Sequence, residues 1–142
     1  MPTQITEAKN AVTISCEAKD TKSAFVEGAR ALFHVLYDTD HIRDSERVEF
    51  AIEAESLPAL YHAWLSQLSS RAEGEGLVFS EFSVMSIQKV SARQYVLMGS
   101  ASGDRAASCP KKKTLQKIRT DTIGCKEANG RSTCSVVVEV KN

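Results

Sequence analysis

Apolar and polar positions change their period several times along the chain, and each change marks an element. Ala11-Val12-Thr13-Ile14-Ser15-Cys16 alternates, the pattern of a strand with one buried face. Asp20 then stands where a side-chain oxygen can cap a helix, and Phe25, Ala29, Leu32, Phe33 and Leu36 follow at helical spacing. Gly28 weakens that helix unless another backbone packs closely against it. The run Tyr37-Asp38-Thr39-Asp40-His41 ends it. Glu46 to Glu53 alternates again, with Val48, Phe50 and Ile52 inward and the acids outward. The clearest unit comes next. Ser56 can accept a bond from a first-turn amide, and Pro58 sits in that first turn, where its missing N–H costs nothing. Leu57, Leu60, Tyr61, Trp64, Leu65 and Leu68 make the buried stripe. Gly74 and Gly76 break the helix before a long apolar strand from Leu77 to Val90.

The phase of that strand slips at Ser80-Glu81, and a bulge or bend accounts for it. Arg93 to Ala101 is its hairpin partner. Two last strands, about Thr114 to Gly124 and Ser132 to Val140, are joined by a turn at Asn129-Gly130, a dipeptide suited to tight hairpins. The order β-α-β-α-β-β-β-β predicts an α+β fold: a mixed, mostly antiparallel sheet with two helices packed on one face. At 142 residues the chain is expected to form one domain, 1–142, able to bury roughly 70% of its unfolded surface.

Composition adds exclusions. The chain is 42% hydrophobic and 25% charged with zero formal net charge, which fits a globular protein and argues against disorder. No apolar run nears the roughly 20 residues that span a bilayer. The start, Met1-Pro2-Thr3-Gln4, lacks the basic and apolar regions of a secretory signal, so a cytoplasmic location is expected. Charge is unevenly placed. Arg105, Lys111, Lys112, Lys113, Lys117 and Arg119 form a stretch without an acid, whereas seven acids face two arginines between Glu46 and Val84. The basic stretch can meet RNA or an acidic partner, or be a solvated loop; it contains no aromatic residue to stack on a base.

Candidate chemistry is sparse. Cys16, Cys109, Cys125 and Cys134 show no CxxC pair and no zinc spacing. Cys16 and Cys134 fall among strand residues and read as core, while Cys109, beside Pro110 and the lysines, is the expected exposed thiol. His34 and His62 fall on the two helices. Asp38 to Asp44, with His41, is the densest acid and histidine cluster but lacks the glycine and terminal glutamate of a calcium loop. No phosphate loop, nucleophile elbow or zinc-protease helix is present. A metal-dependent hydrolase has little support, because no nucleophile–base pair is visible.

As an ordered pattern the chain resembles the archease family, small proteins associated with tRNA splicing. The Ser56 to Leu68 helix with its Trp-Leu pair, followed by Glu75-Gly76-Leu77-Val78-Phe79-Ser80-Glu81-Phe82, is the most specific part. Asp20 to Leu36 is similar to the family's first helix, Gly103-Asp104 to its Gly-Glu turn, Ile118 to Thr122 to its Lys-Ala-Val-Thr run, and Val136 to Val140 to its last strand. The resemblance implies a protein that is not an enzyme but an accessory factor of a tRNA-splicing RNA ligase, aiding its metal- and guanylate-dependent activation. It also implies a divalent cation, calcium or magnesium, held by an Asp before the first strand and a near-terminal Asp. Asn10 and Glu139 stand at those positions here, and Glu7 stands where the family has His. Asn10 keeps an oxygen but no charge, Glu139 is longer by a methylene, and Lys9 and Lys141 add repulsion, so weak binding or none is expected. The other reading is a diverged scaffold or binding module that has lost both metal and ligase role.

Overall fold

The computed structural model describes residues 3–39, 45–105 and 111–141. The elements run β1 (Thr3–Ala8), β2 (Ala11–Ala18), α1 (Thr21–Leu36), β3 (Glu46–Ala54), α2 (Leu57–Glu75), β4 (Leu77–Ser91), β5 (Gln94–Arg105), β6 (Thr114–Ile118), β7 (Gly124–Ala128) and β8 (Arg131–Lys141). The α+β class is borne out. All named strand pairs are antiparallel, and they divide between two sheets: one of five strands in the order β1-β2-β8-β6 with β7 also on β8, the other of three in the order β3-β5-β4. Periodicity shows which face of a strand is buried but not which neighbour it chooses, so this division is not visible along the chain.

Each helix touches strands of both sheets: α1 meets β2, β8 and β4, and α2 meets β3, β4, β5, β6 and β7. The first of them, α1, is buried well beyond one stripe, at Ala24, Phe25, Ala29, Ala31, Leu32, Phe33, Val35 and Leu36. On α2 the stripe is narrower, Leu60, Tyr61, Trp64, Leu65, Leu68 and Ala72. Both predicted caps form. Asp20 accepts from the Ser23 N–H at 2.8 Å and Ser56 from the Ala59 N–H at 3.2 Å. Gly76, left-handed at φ 64°, closes α2 by returning its N–H to the Ala72 carbonyl. The Trp64 indole donates to the Phe25 carbonyl at 3.1 Å and ties the helices together.

Residues Thr3–Ala8 form a strand that the alternation of the following segment does not signal; its side chains are mostly exposed, so it carries no buried period. The bulge at Ser80 is present, with Phe79 opposite Gly103 and Glu81 opposite Ser102. It returns Phe82 to the face of Phe79, and Phe33 packs against both, at ring distances of 5.5 and 5.7 Å. Gly103-Asp104 lies within β5 and not in a turn. The strand expected from Thr114 to Gly124 is interrupted. Ile118 pairs with Val138 and Gly124 with Ser135, so residues 119–123 face only Val136 and Val137 and must loop out. The Asn129-Gly130 turn forms as predicted, with φ of 55° and 73°.

Candidate functional site

The three residues proposed from the sequence come from the ends of the larger sheet. Lys9 and Asn10 make the two-residue turn between β1 and β2, and Asn10 takes the left-handed conformation, φ 64°, that asparagine tolerates. The Asn10 carbonyl accepts the Val140 N–H at 3.0 Å, and Ala11 stands opposite Glu139. Glu139 therefore lies between Ala11 on one side and Lys117 of β6 on the other. The backbones of Asn10 and Glu139 are thus neighbours at one end of the sheet.

Glu7 does not join them. It stands opposite Val12, which stands opposite buried Val138, so Glu7 belongs to the helix-side face. Glu139 follows Val138 on β8 and points to the outer face, because successive strand side chains alternate. Each acid also has a cation from the chain itself. Lys113 Nζ approaches Glu7 at 3.6 Å, and the Arg119 guanidinium approaches Glu139 at 4.0 Å.

Arg119 is the hub of this corner. It opens the looped-out segment, its N–H bonds the Val137 carbonyl at 3.0 Å, and its guanidinium grips Asp121 through two bonds at 3.1 and 2.8 Å. That bidentate bond and the charge of Asp121 raise the Arg119 pKa and hold the Asp121 carboxyl below the usual range. The residues present do not fit a tight divalent site. One donor is a neutral amide, one carboxylate is engaged by a guanidinium, and the other is on the opposite face. Among the described residues no group of three or more His, Cys, Asp and Glu is arranged to hold a metal.

The remaining candidates serve the fold. His62 donates from Nε2 to the Ile118 carbonyl at 3.0 Å, which leaves Nδ1 to accept from Ser66 Oγ at 3.4 Å and fixes α2 against the end of β6. His34 borders an open groove of about 330 Å³ with Ile5, Glu7, Val35, Lys112 and Lys113. The basic stretch closes α1: the Lys112 and Lys113 N–H groups both reach the Leu36 carbonyl, at 2.7 and 3.2 Å. They thereby satisfy a last-turn carbonyl that has no partner within the helix. Residues Asp40 to Asp44 of the acidic loop, and Cys109, lie outside the described residues. Sequence reasoning missed the cations facing Glu7 and Glu139; the one signal for them, the density of Lys and Arg from 111 to 119, says nothing of register. It also missed a concavity of about 480 Å³ on the outer face of the smaller sheet, bordered by Arg47, Glu81 and Ser80, Ser83, Ser100 and Ser102.

No described helix is long and apolar enough to cross a membrane. Comparison with known proteins gives one consistent result. The Archease protein family (MTH1598/TM1083) matches residues 6–140. Protein archease of Methanopyrus kandleri is 36% identical over 72 residues, 51% of each chain. The Pyrococcus furiosus protein archease is 33% identical over 59% of this chain and 58% of its own. That of Aeropyrum pernix is 28% identical over 91% of this chain and 90% of its own. The match thus spans only about half the length of the first two curated relatives. The solution structure of Methanobacterium thermoautotrophicum protein 1598 superposes with a TM-score of 0.84 at 20% identity, over 96% of this chain and 97% of that one, a likeness of fold. The family match covers nearly every residue that builds the two sheets and both helices, and the chain belongs to the archease family.

Proposed function

We propose that this protein is an accessory factor of an RNA ligase, without catalytic chemistry of its own, that promotes ligase guanylylation and turnover in the cytoplasm. The observation that carries the proposal is the family match over residues 6–140, taken with the resemblance of the Ser56 to Phe82 unit. The partner is a protein, met through the folded surface; the basic stretch from Arg105 to Arg119 is a secondary surface on which RNA contact is to be measured. The test is a guanylylation assay of a tRNA-splicing ligase with and without this protein at equal amounts. Faster or more complete guanylylation is expected. An unchanged rate rejects the ligase role.

The second reading, a scaffold without metal or ligase role, is favoured by one arrangement: Glu7 and Glu139 on opposite faces, each beside a cation of the chain. In the accessory reading as proposed here, any calcium or magnesium at Asn10 and Glu139 is weakly held. Calorimetric titration with calcium, magnesium and manganese should therefore give millimolar or weaker binding. If Glu139→Ala leaves that weak binding unchanged and guanylylation is not stimulated, the scaffold reading replaces the first. Tight binding lost in Glu139→Ala would instead restore a metal role.

A further inference from the structure

Three of the chain's four cysteines fall in one row across the larger sheet. Cys16 of β2 stands opposite Cys134 of β8, and Cys134 stands opposite Cys125 of β7. Directly opposed residues share a face, so the three thiols lie on the side that carries Ile14, Val136 and Val138 into the core. Cys16 and Cys134 are fully buried, whereas Cys125 is partly open. β7 pairs with β8, off the main strand order, so Cys125 is the reachable end of the row. The nearby Tyr61 hydroxyl is buried without a hydrogen-bond partner, and the ionisable groups acting on it are these three cysteines.

Geometry selects one pair. Opposed residues on antiparallel strands hold their Cα atoms about 4.5 to 5.5 Å apart, inside the roughly 4.4 to 6.8 Å that a disulfide spans. Cys16 and Cys125 are two strands apart, about 9.5 Å, and cannot be bridged. Cys134 can therefore reach either neighbour, and access decides between them, since an oxidant meets Cys125 first. Chemistry agrees. A hydrogen bond to Cys125, together with burial, keeps the proton on Cys134, and burial pushes the Cys16 thiol up to about 11, so neither buried thiol is the first nucleophile.

We propose that Cys125 and Cys134 form an oxidative modification site that closes a reversible disulfide on reaction with a hydroperoxide. Cys125 sulfur attacks one peroxide oxygen; the S–O bond forms, the O–O bond breaks, and the departing hydroxide leaves as water with the thiol proton. Cys134 sulfur then attacks the sulfenyl sulfur of Cys125. The S–S bond forms, the S–O bond breaks, and the Cys134 proton leaves with the hydroxide as a second water. Two thiols lose two electrons and the peroxide gains them. A thiol reductant restores both groups by exchange. The bridge clamps β7 to β8 beside residues 119–123, the segment that brings Arg119 to Glu139. The proposal is independent of any ligase role.

The test uses the full chain, folded, with hydrogen peroxide as the probe, followed by alkylation of free thiols, trypsin and mass spectrometry. Cleavage after Arg119, Lys126, Arg131 and Lys141 puts the two cysteines on separate peptides, Thr120–Lys126 and Ser132–Lys141. The expected main oxidised product is those two peptides joined, two hydrogens lighter than their sum, and separated again by dithiothreitol. A main product joining either cysteine to Cys16 or Cys109, a covalent dimer, over-oxidised Cys125 without a bridge, or unmodified thiols would each overturn the proposal. The order of steps is checked in Cys125→Ser, where the partly open position tolerates the change. Oxidation of Cys134 should slow about tenfold or more there; an unchanged rate would refute Cys125 as the first nucleophile.

Discussion

At the scale of single residues, one contact and one cap carry consequences that can be measured. Gly28 is required by space: a Cβ there would meet Tyr61 Oη at 1.9 Å and two ring carbons at 2.8 and 2.9 Å. The close neighbour is an aromatic side chain and not a second backbone. Gly28→Ala should therefore destabilise the fold by about 1–3 kcal/mol despite alanine's better helix propensity. Tyr61→Phe removes an unpartnered buried hydroxyl and should be near neutral or stabilising. Urea denaturation of the two single variants and the double variant would show their coupling; a stable Gly28→Ala protein contradicts the packing. Asp20 offers a pH test. Bonds from the Ser23 amide and the Ser23 hydroxyl hold its carboxyl below the ordinary 3.8. The folded value is depressed, so its contribution is present above 3.8 and lost as pH falls through the folded value. Asp20→Ala should cost about 1 kcal/mol at neutral pH. Asp20→Asn, still a capping residue, should keep most of the stability but lose this acid-side slope in a denaturation series over pH.

At the scale of elements, local rules were sufficient wherever a signal lies within a few residues. Ser56, Pro58 and Gly76 bound α2, and Asn129-Gly130 turns β7 into β8, because caps and turns are satisfied by near neighbours. The Ser80 bulge was legible for the same reason: the apolar phase of β4 breaks there and nowhere else so plainly. Its removal is a sharp test. Deleting Ser80 should turn Phe82 and Val84 away from the core and cost roughly 3 kcal/mol or more, read as a fall in the urea midpoint. A small effect would mean that the strand slips without penalty and that the bulge does not set the register. β1 and the break at 119–123 were not legible. β1 is an edge strand with little to bury, so its sequence is free of the alternation that betrays a strand. The break depends on how β6 and β7 each find β8, and on the Arg119–Asp121 pair that closes the excursion.

For the whole molecule, the buried residues of both sheets and both helices form one continuous cluster. A single cooperative unfolding transition is expected, with the fluorescence of Trp64 and far-ultraviolet circular dichroism coinciding in urea. Separate midpoints would mean that the two sheets unfold as separate units. The same long-range assembly governs the candidate site. The family resemblance singled out Asn10 and Glu139, near the two ends of the chain, as the positions to compare, and their residue types set the chemistry: an amide and a longer carboxylate. Tertiary structure decided that they share one corner while Glu7 takes the other face, and that Lys113 and Arg119 sit beside the two acids. It also aligned Cys16, Cys134 and Cys125, which are scattered in sequence and without motif spacing. The division has a physical cause. Caps, turns and buried faces are set by neighbours within a turn or two of chain, so sequence alone determined the helices, most strands and the α+β class. Strand partner, register and the pairing of distant charges are set by the packing of the entire core, and only the folded molecule determines them.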